Sequence, residues 1–152
     1  MPPGTLIKYN NTMAFATLNH IYFKYVDLYA GECYLRKNKE QPKSFRLVLS
    51  HELIHVWQEK QYGFFKFLMM NEWVKEGYAM YATEDNLTQG IEYLLDRDFE
   101  ELDGKEWYVL WGLMVKHAIE KMHKSVDDLH LGKVDYEEVL DSLLREYNIT
   151  KR

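Results

Sequence analysis

The first forty residues carry their apolar positions in short runs, and the rest of the chain carries them at helical spacing. Met13–Leu18 (MAFATL) and Ile21–Val26 (IYFKYV) are rich in aromatic and apolar side chains, with Asn19-His20 between them as punctuation, so two strands of half-buried sheet are predicted. Past residue 40 the period changes. Leu47, Val48, His51, Ile54, His55 and Gln58 recur three and four residues apart, which predicts a helix over 44–61. Its start is signalled by Pro42 or Ser44 near the first turn, and Gly63 is its stop. A loop at about 63–70 then leads into a second helix over 71–83. Beyond Asp85 the pattern is helical in three pieces, near 88–100, 105–123 and 135–147, with breaks at Gly104 and Gly132. No repeat, low-complexity tract or Pro/Gly-rich linker divides the chain. The expectation is one α+β domain over 1–152, with a small sheet and its helix in 1–62 and a helical part in 63–152.

Composition narrows the function. At 152 residues and 47% hydrophobic the chain is long enough to bury a core. A net charge of −5 argues against a nucleic-acid or anionic-membrane binder, which would carry a basic surface. The opening residues MPPGTLIKYNN lack a basic start and a long apolar stretch, and FFKFLMM and YVLWGLMV are too short to span a bilayer. A cytoplasmic protein is therefore expected, although a soluble domain of a longer chain would read the same way. Cys33 is the single cysteine, expected to be a buried or inert thiol, so no disulfide forms within the chain and no thiolate cluster holds a metal. Any metal must be bound by His, Asp or Glu.

Within the helix over 44–61, residues 51–58 read HELIHVWQ. His51 and His55 stand four apart, so their imidazoles project from one helix face, one turn apart, where two nitrogens can meet one Zn²⁺ at about 2.0–2.1 Å. Glu52 is placed to act as general base toward a metal-bound water. A chance HExxH in such a composition arises on the order of a few per cent of the time, so the motif needs a second piece. A catalytic zinc takes three protein ligands and an open position. NEWVKEGYAMYA (71–82) offers Glu76, with Glu72 as the rival one turn earlier, where it also suits the first turn of a helix dipole. Gly77 costs about 1 kcal/mol relative to Ala within a helix, which calls for a close-packing reason and favours Glu76 beside it.

HELIH followed by WVKEGYAMY resembles the gluzincin metallopeptidases, in which HExxH is followed by a glutamate-bearing helix of the W-x-x-E-G-x-A type. AFATLNHIYF resembles the edge strand, asparagine turn and next strand of that zincin-like fold. WYVLWGLMVKHAIEKMH resembles the Y-x-x-G-type helix that follows in aminopeptidase-like members. The resemblance covers roughly residues 12–123 and is most specific at the two zinc-binding segments. It implies a minimal single-domain catalytic unit with a twisted sheet, His51, His55 and Glu76 as Zn²⁺ ligands, and Glu52 as general base and acid. The strand around Phe15–Leu18 would hold an extended peptide by strand addition.

The chain also departs from the family pattern. Met80 stands where some gluzincins carry an aspartate that steadies a ligand histidine, so support from elsewhere, such as backbone carbonyls, is expected. Tyr108 is the candidate oxyanion stabiliser, but it lies four residues before Gly112 where the family has three, and Tyr78 and Tyr81 are alternatives. His117, Glu120 and His123 wander round their helix rather than sharing a face, so His117, His123 and His130 are expected in solvated or capping roles. Glu100, Glu101 and Asp103 read as a solvated face and loop. The expected activity is zinc-dependent peptide-bond hydrolysis on a peptide or unfolded protein, with no nucleic-acid or membrane partner. The alternative is a catalytically silent zincin-fold protein that binds zinc structurally or serves as a peptide-binding module. Cleavage specificity and oligomeric state are not legible in the residues.

Overall fold

The computed structural model describes residues 13–18, 20–36, 41–83, 87, 94 and 102–147. The fold is mixed α+β, small antiparallel sheets followed by helices. The chain divides into two compact units, Met1–Phe64 and Phe65–Arg152.

The first unit holds five short strands and one long helix. Strands β1 (Ala14–Thr17) and β2 (His20–Phe23) form an antiparallel hairpin with Thr17 opposite His20 and Phe15 opposite Tyr22. The Phe15 and Tyr22 rings stack at 4.9 Å, a cross-strand pair that fixes the register. Leu18, at the turn, takes a left-handed φ of 49°. The run expected as one strand over 21–26 breaks at Lys24. Strand β3 (Tyr25–Asp27) leaves the hairpin and pairs with β4 (Glu32–Tyr34), which pairs with β5 (Lys43–Ser44). The two later strands are too short to show a period of two, and so gave no sequence signal.

Helix α1 (Phe45–Tyr62) follows directly, within one residue of its expected bounds. Ser44 precedes it without a side-chain cap, because residues 43–44 serve as strand β5. Gly63 closes it at φ 85°, its N–H bonded to the Glu59 carbonyl. Helix α1 packs on β1, β2 and β4, with Phe23 and Phe45 rings 5.1 Å apart.

The second unit is helical. The loop expected at 63–70 contains a short helix, α2 (Phe64–Met69), whose first residue closes the first unit. Helices α3 (Glu72–Thr83), α4 (Gly104–Glu120) and α6 (Tyr136–Glu146) stand close to their expected bounds. The helix expected near 88–100 lies outside the described residues, apart from Leu94, which is helical and buried. Helix α5 (Val126–His130) was not anticipated, being shorter than two turns.

Capping sets these starts. Asp103 and Glu106 cap α4 reciprocally: the Glu106 N–H donates to Asp103 Oδ1 at 3.0 Å and the Asp103 N–H to Glu106 Oε2 at 2.7 Å. Asp103, read as part of a solvated run, is thus a cap. Ser125 and Asp135 cap α5 and α6, accepting from the Asp128 and Glu138 N–H groups. Met114, Val115 and Ala118 of α4 and Val139 of α6 are fully buried and centre the core.

Helices α3 and α4 pack along their length through two glycines. A Cβ on Gly77 would meet the Trp111 carbonyl oxygen at 2.5 Å, and one on Gly112 would meet Met80 Cβ at 2.9 Å. The close-packing reason expected for Gly77 is therefore the backbone of α4. No helix among the described residues is long and apolar enough to cross a membrane.

Candidate metal centre

Helix α1 inverts the usual rule for a core helix. Its buried residues are Glu52, His55, Gln58 and Glu59, all polar, while Leu53 and Trp57 are 50% and 38% exposed. Burying four polar side chains costs free energy unless each finds a partner, so a helix that keeps them inside is built around a polar task. The i, i+3, i+4 recurrence of residues 51, 55 and 58 was visible in the sequence; its polar character is what the burial brings out.

Two partners on that face are internal to the first unit. His55 Nδ1 donates to the amide oxygen of Gln58 at 2.9 Å, and Gln58 is completely buried. His55 Nε2 lies 3.2 Å from His51 Nε2, with the two rings edge to face. Two nitrogens on a tetrahedral Zn²⁺ at about 2.05 Å stand roughly 3.3 Å apart. The separation set by helix α1 therefore suits a shared ion, and neutral imidazole is a preferred zinc ligand. Where backbone carbonyls were expected to support the two histidines, His55 is held instead by a side chain one turn along the same helix. Glu52, one residue after His51, is 7% exposed.

Glu59 completes the buried polar face. Its Oε2 accepts the Leu18 N–H at 3.0 Å, which ties the end of β1 to the helix that carries the histidines. Sequence reasoning missed both Gln58 and Glu59 as working residues. A polar residue recurring on a face that should be apolar was the available signal.

In the second unit, Glu76 is half-buried on α3 beside Gly77, whereas Glu72 is exposed in the first turn of that helix. Tyr108 is half-buried on α4 with its ring tilted against Trp111, centroids 5.6 Å apart. Tyr78 and Tyr81 are also half-buried on α3, their rings 6.2 Å apart. Burial pushes the Tyr78 hydroxyl above its ordinary pKa, with the neighbouring Tyr81 adding to the effect.

Of the three downstream histidines, His123 is exposed as expected, and His117 and His130 depart from their expected roles. His117 is buried, with Nδ1 on Glu146 Oε2 at 2.8 Å and Nε2 on Ser142 Oγ at 2.9 Å, so it bridges α4 to α6 rather than facing solvent. A Ser–His–carboxylate chain of this kind suggests a nucleophile. Ser142, however, sits inside a helix, where the neighbouring backbone N–H groups are committed to the helix and none is left to hold an oxyanion. His130 is buried too, its Nδ1 donating to the Val126 carbonyl at 2.7 Å and its ring edge to face with Tyr78. Burial holds its pKa below the ordinary value, against smaller opposing effects of that carbonyl and of Asp127. His117 and His130 escaped a sequence reading because their partners come from other turns and helices.

Comparison with protein-family models, curated proteins and solved structures gives no match.

Proposed function

We propose that this chain is a zinc-dependent peptidase of gluzincin type with a zincin-like fold, in which His51, His55 and Glu76 hold the metal and Glu52 moves the proton. One observation carries the reading: on helix α1 the Nε2 atoms of His51 and His55 lie 3.2 Å apart, the separation two nitrogens take on one Zn²⁺, and the sequence supplies Glu76 on the helix that follows as the third ligand. Two neutral nitrogens and one carboxylate make up the protein share of a catalytic zinc site, which keeps a position open for water. Zinc in such a set acts as a Lewis acid on the scissile carbonyl and lowers the pKa of bound water to about 7.

The remaining work falls to the chain. Glu52 accepts the proton of the attacking water on its carboxylate and returns it to the leaving amine, and its burial keeps that carboxylate out of bulk solvent. Strand β1, an edge of its two-stranded sheet packed on α1, lines up an extended peptide by backbone hydrogen bonding. Strand addition requires an extended segment, so flexible or unfolded stretches of protein are the substrate class. Tyr108 is the residue proposed to steady the developing oxyanion.

Metal analysis and proteolysis of an unstructured protein test this together. The purified wild type is expected to hold close to one equivalent of zinc and to cleave. Glu52→Gln is expected to keep the zinc and lose about 10²- to 10⁴-fold of the rate, the usual contribution of a positioned proton-transfer group. Zinc well below one equivalent after supplementation overturns the site. Wild type and Glu52→Gln equally inert while both are loaded overturns the enzyme.

A further inference from the structure

Gln58 is the most deeply buried polar residue of helix α1, at 0% exposure, and its amide oxygen lies 2.9 Å from His55 Nδ1. We propose that Gln58 is a positioning residue for the metal centre: its amide oxygen holds His55 in the Nδ1–H tautomer, so that Nε2 carries the lone pair. The proposal rests on the zinc reading for its purpose, but the tautomer itself is a property of the chain without metal.

Donors and acceptors around the His55 ring must match. An imidazole binds a metal through a nitrogen that bears no proton, and a neutral ring has one such nitrogen. A carbonyl oxygen facing Nδ1 can only accept, which puts the proton on Nδ1 and leaves Nε2 bare, 3.2 Å from His51 Nε2. With the amide turned over, its NH₂ would donate to Nδ1 and move the ring proton to Nε2, where it blocks ligation. Residues 55 and 58 are three apart on one helix, so the backbone itself sets their approach. Hydrogen bonds of this kind to the second ring nitrogen of a ligand histidine orient the ring and raise its basicity, and their loss costs about 10- to 100-fold in metal affinity.

The plain alternative is that Gln58 only fills space. Two substitutions order oppositely under the two roles. Gln58→Met keeps length and bulk but accepts no hydrogen bond, whereas Gln58→Glu keeps an acceptor at the cost of a buried charge. If Gln58 only packs, Met is tolerated and Glu is damaging. If it holds the tautomer, Glu keeps zinc affinity near or above wild type and Met loses about 10- to 100-fold.

The test measures zinc affinity by chelator competition on each protein. It also measures the tautomer of His55 in the metal-free protein from the ¹⁵N shifts of its ring. The expected result is Nδ1–H in wild type and Gln58→Glu, with Gln58→Met shifting toward the Nε2–H form that an unconstrained imidazole prefers. A wild type in the Nε2–H form overturns the proposal on its own, with no variant needed. So does a Gln58→Met protein that matches wild type in both tautomer and zinc affinity. A wild type that shows Nδ1–H but takes up no zinc overturns the peptidase reading and leaves the tautomer assignment standing.

Discussion

Gly77 lies so close to Trp111 that a Cβ at residue 77 would stand 2.5 Å from the Trp111 carbonyl oxygen and 2.7 Å from its carbon. A backbone atom cannot swing aside as a side-chain tip can, so the α3–α4 crossing depends on this glycine. Replacing it with alanine gains about 1 kcal/mol of helix propensity. Overpacking costs about 1–3 kcal/mol, and the upper end applies where backbone is struck. Gly77→Ala is expected to lower stability by about 1–2 kcal/mol net, read as a lower denaturant midpoint at unchanged slope. Gly112→Ala should cost somewhat less, because the Leu87 tip at 2.5 Å can swing aside and only Met80 Cβ, at 2.9 Å, is fixed. An unchanged or raised midpoint for Gly77→Ala would show that the helices separate freely.

Glu59 and Leu18 tie a strand to a helix. The Glu59 carboxylate, 7% exposed, accepts the Leu18 N–H at 3.0 Å, at a residue held in a left-handed conformation. Hydrogen bonds to charged groups contribute about 1.5–3 kcal/mol, and the lower end applies to this part-buried one. Glu59→Met is expected to destabilise by about that much and to speed hydrogen exchange at the Leu18 amide. Glu59→Gln keeps an acceptor and should lose less. Equal protection of that amide in wild type and Glu59→Met would show that the tie does not hold the strand.

His130 makes stability depend on pH. Burial holds its folded pKa below the ordinary value of 6.5, so the unfolded chain binds the proton more readily. Stability then rises with pH wherever the unfolded state carries more protons. The contribution of His130 is complete above about 6.5 and is lost as the solution is acidified below it. His130→Phe keeps an aromatic ring beside Tyr78 and removes the titration. Its unfolding free energy should depend less on pH between about 6.5 and the folded pKa. A wild-type profile that is flat there, or a variant with the same slope, would contradict the assignment.

Cys33 should be chemically silent in the native protein. It is 0% exposed, and burial pushes its thiol above the ordinary pKa, so little thiolate is present and a reagent has no approach. Alkylation by iodoacetamide at neutral pH is expected to wait for unfolding and to proceed stoichiometrically in denaturant. Fast labelling of the folded protein would show that β4 opens readily.

Much of this was legible in the residues, and the parts that were not share a cause. Helix α1 was readable because Leu47, Val48, His51, Ile54, His55 and Gln58 keep a helical period over several turns, and α3, α4 and α6 for the same reason. The division of 21–26 at Lys24 was not, since nothing local says which neighbour a strand will pair with. His117 read as solvated because its helix neighbours do not converge on it. It is buried because Ser142 and Glu146 arrive from α6.

By itself the sequence determined the helical spacing of His51 and His55, the placing of Glu52 between them, the helix that carries Glu76, and the need for a close approach at Gly77. All of these follow from the 1.5 Å rise and 3.6-residue turn of a helix, which any stretch of chain obeys locally. Only tertiary structure decided that the buried face of α1 is polar and that Glu59 fastens the end of β1. It also decided that Gln58 turns its amide oxygen to His55, and that the neighbour of Gly77 is a backbone carbonyl. Burial and long-range partners are set by which surfaces meet. That is a property of the packed chain as a whole, and no window of residues contains it.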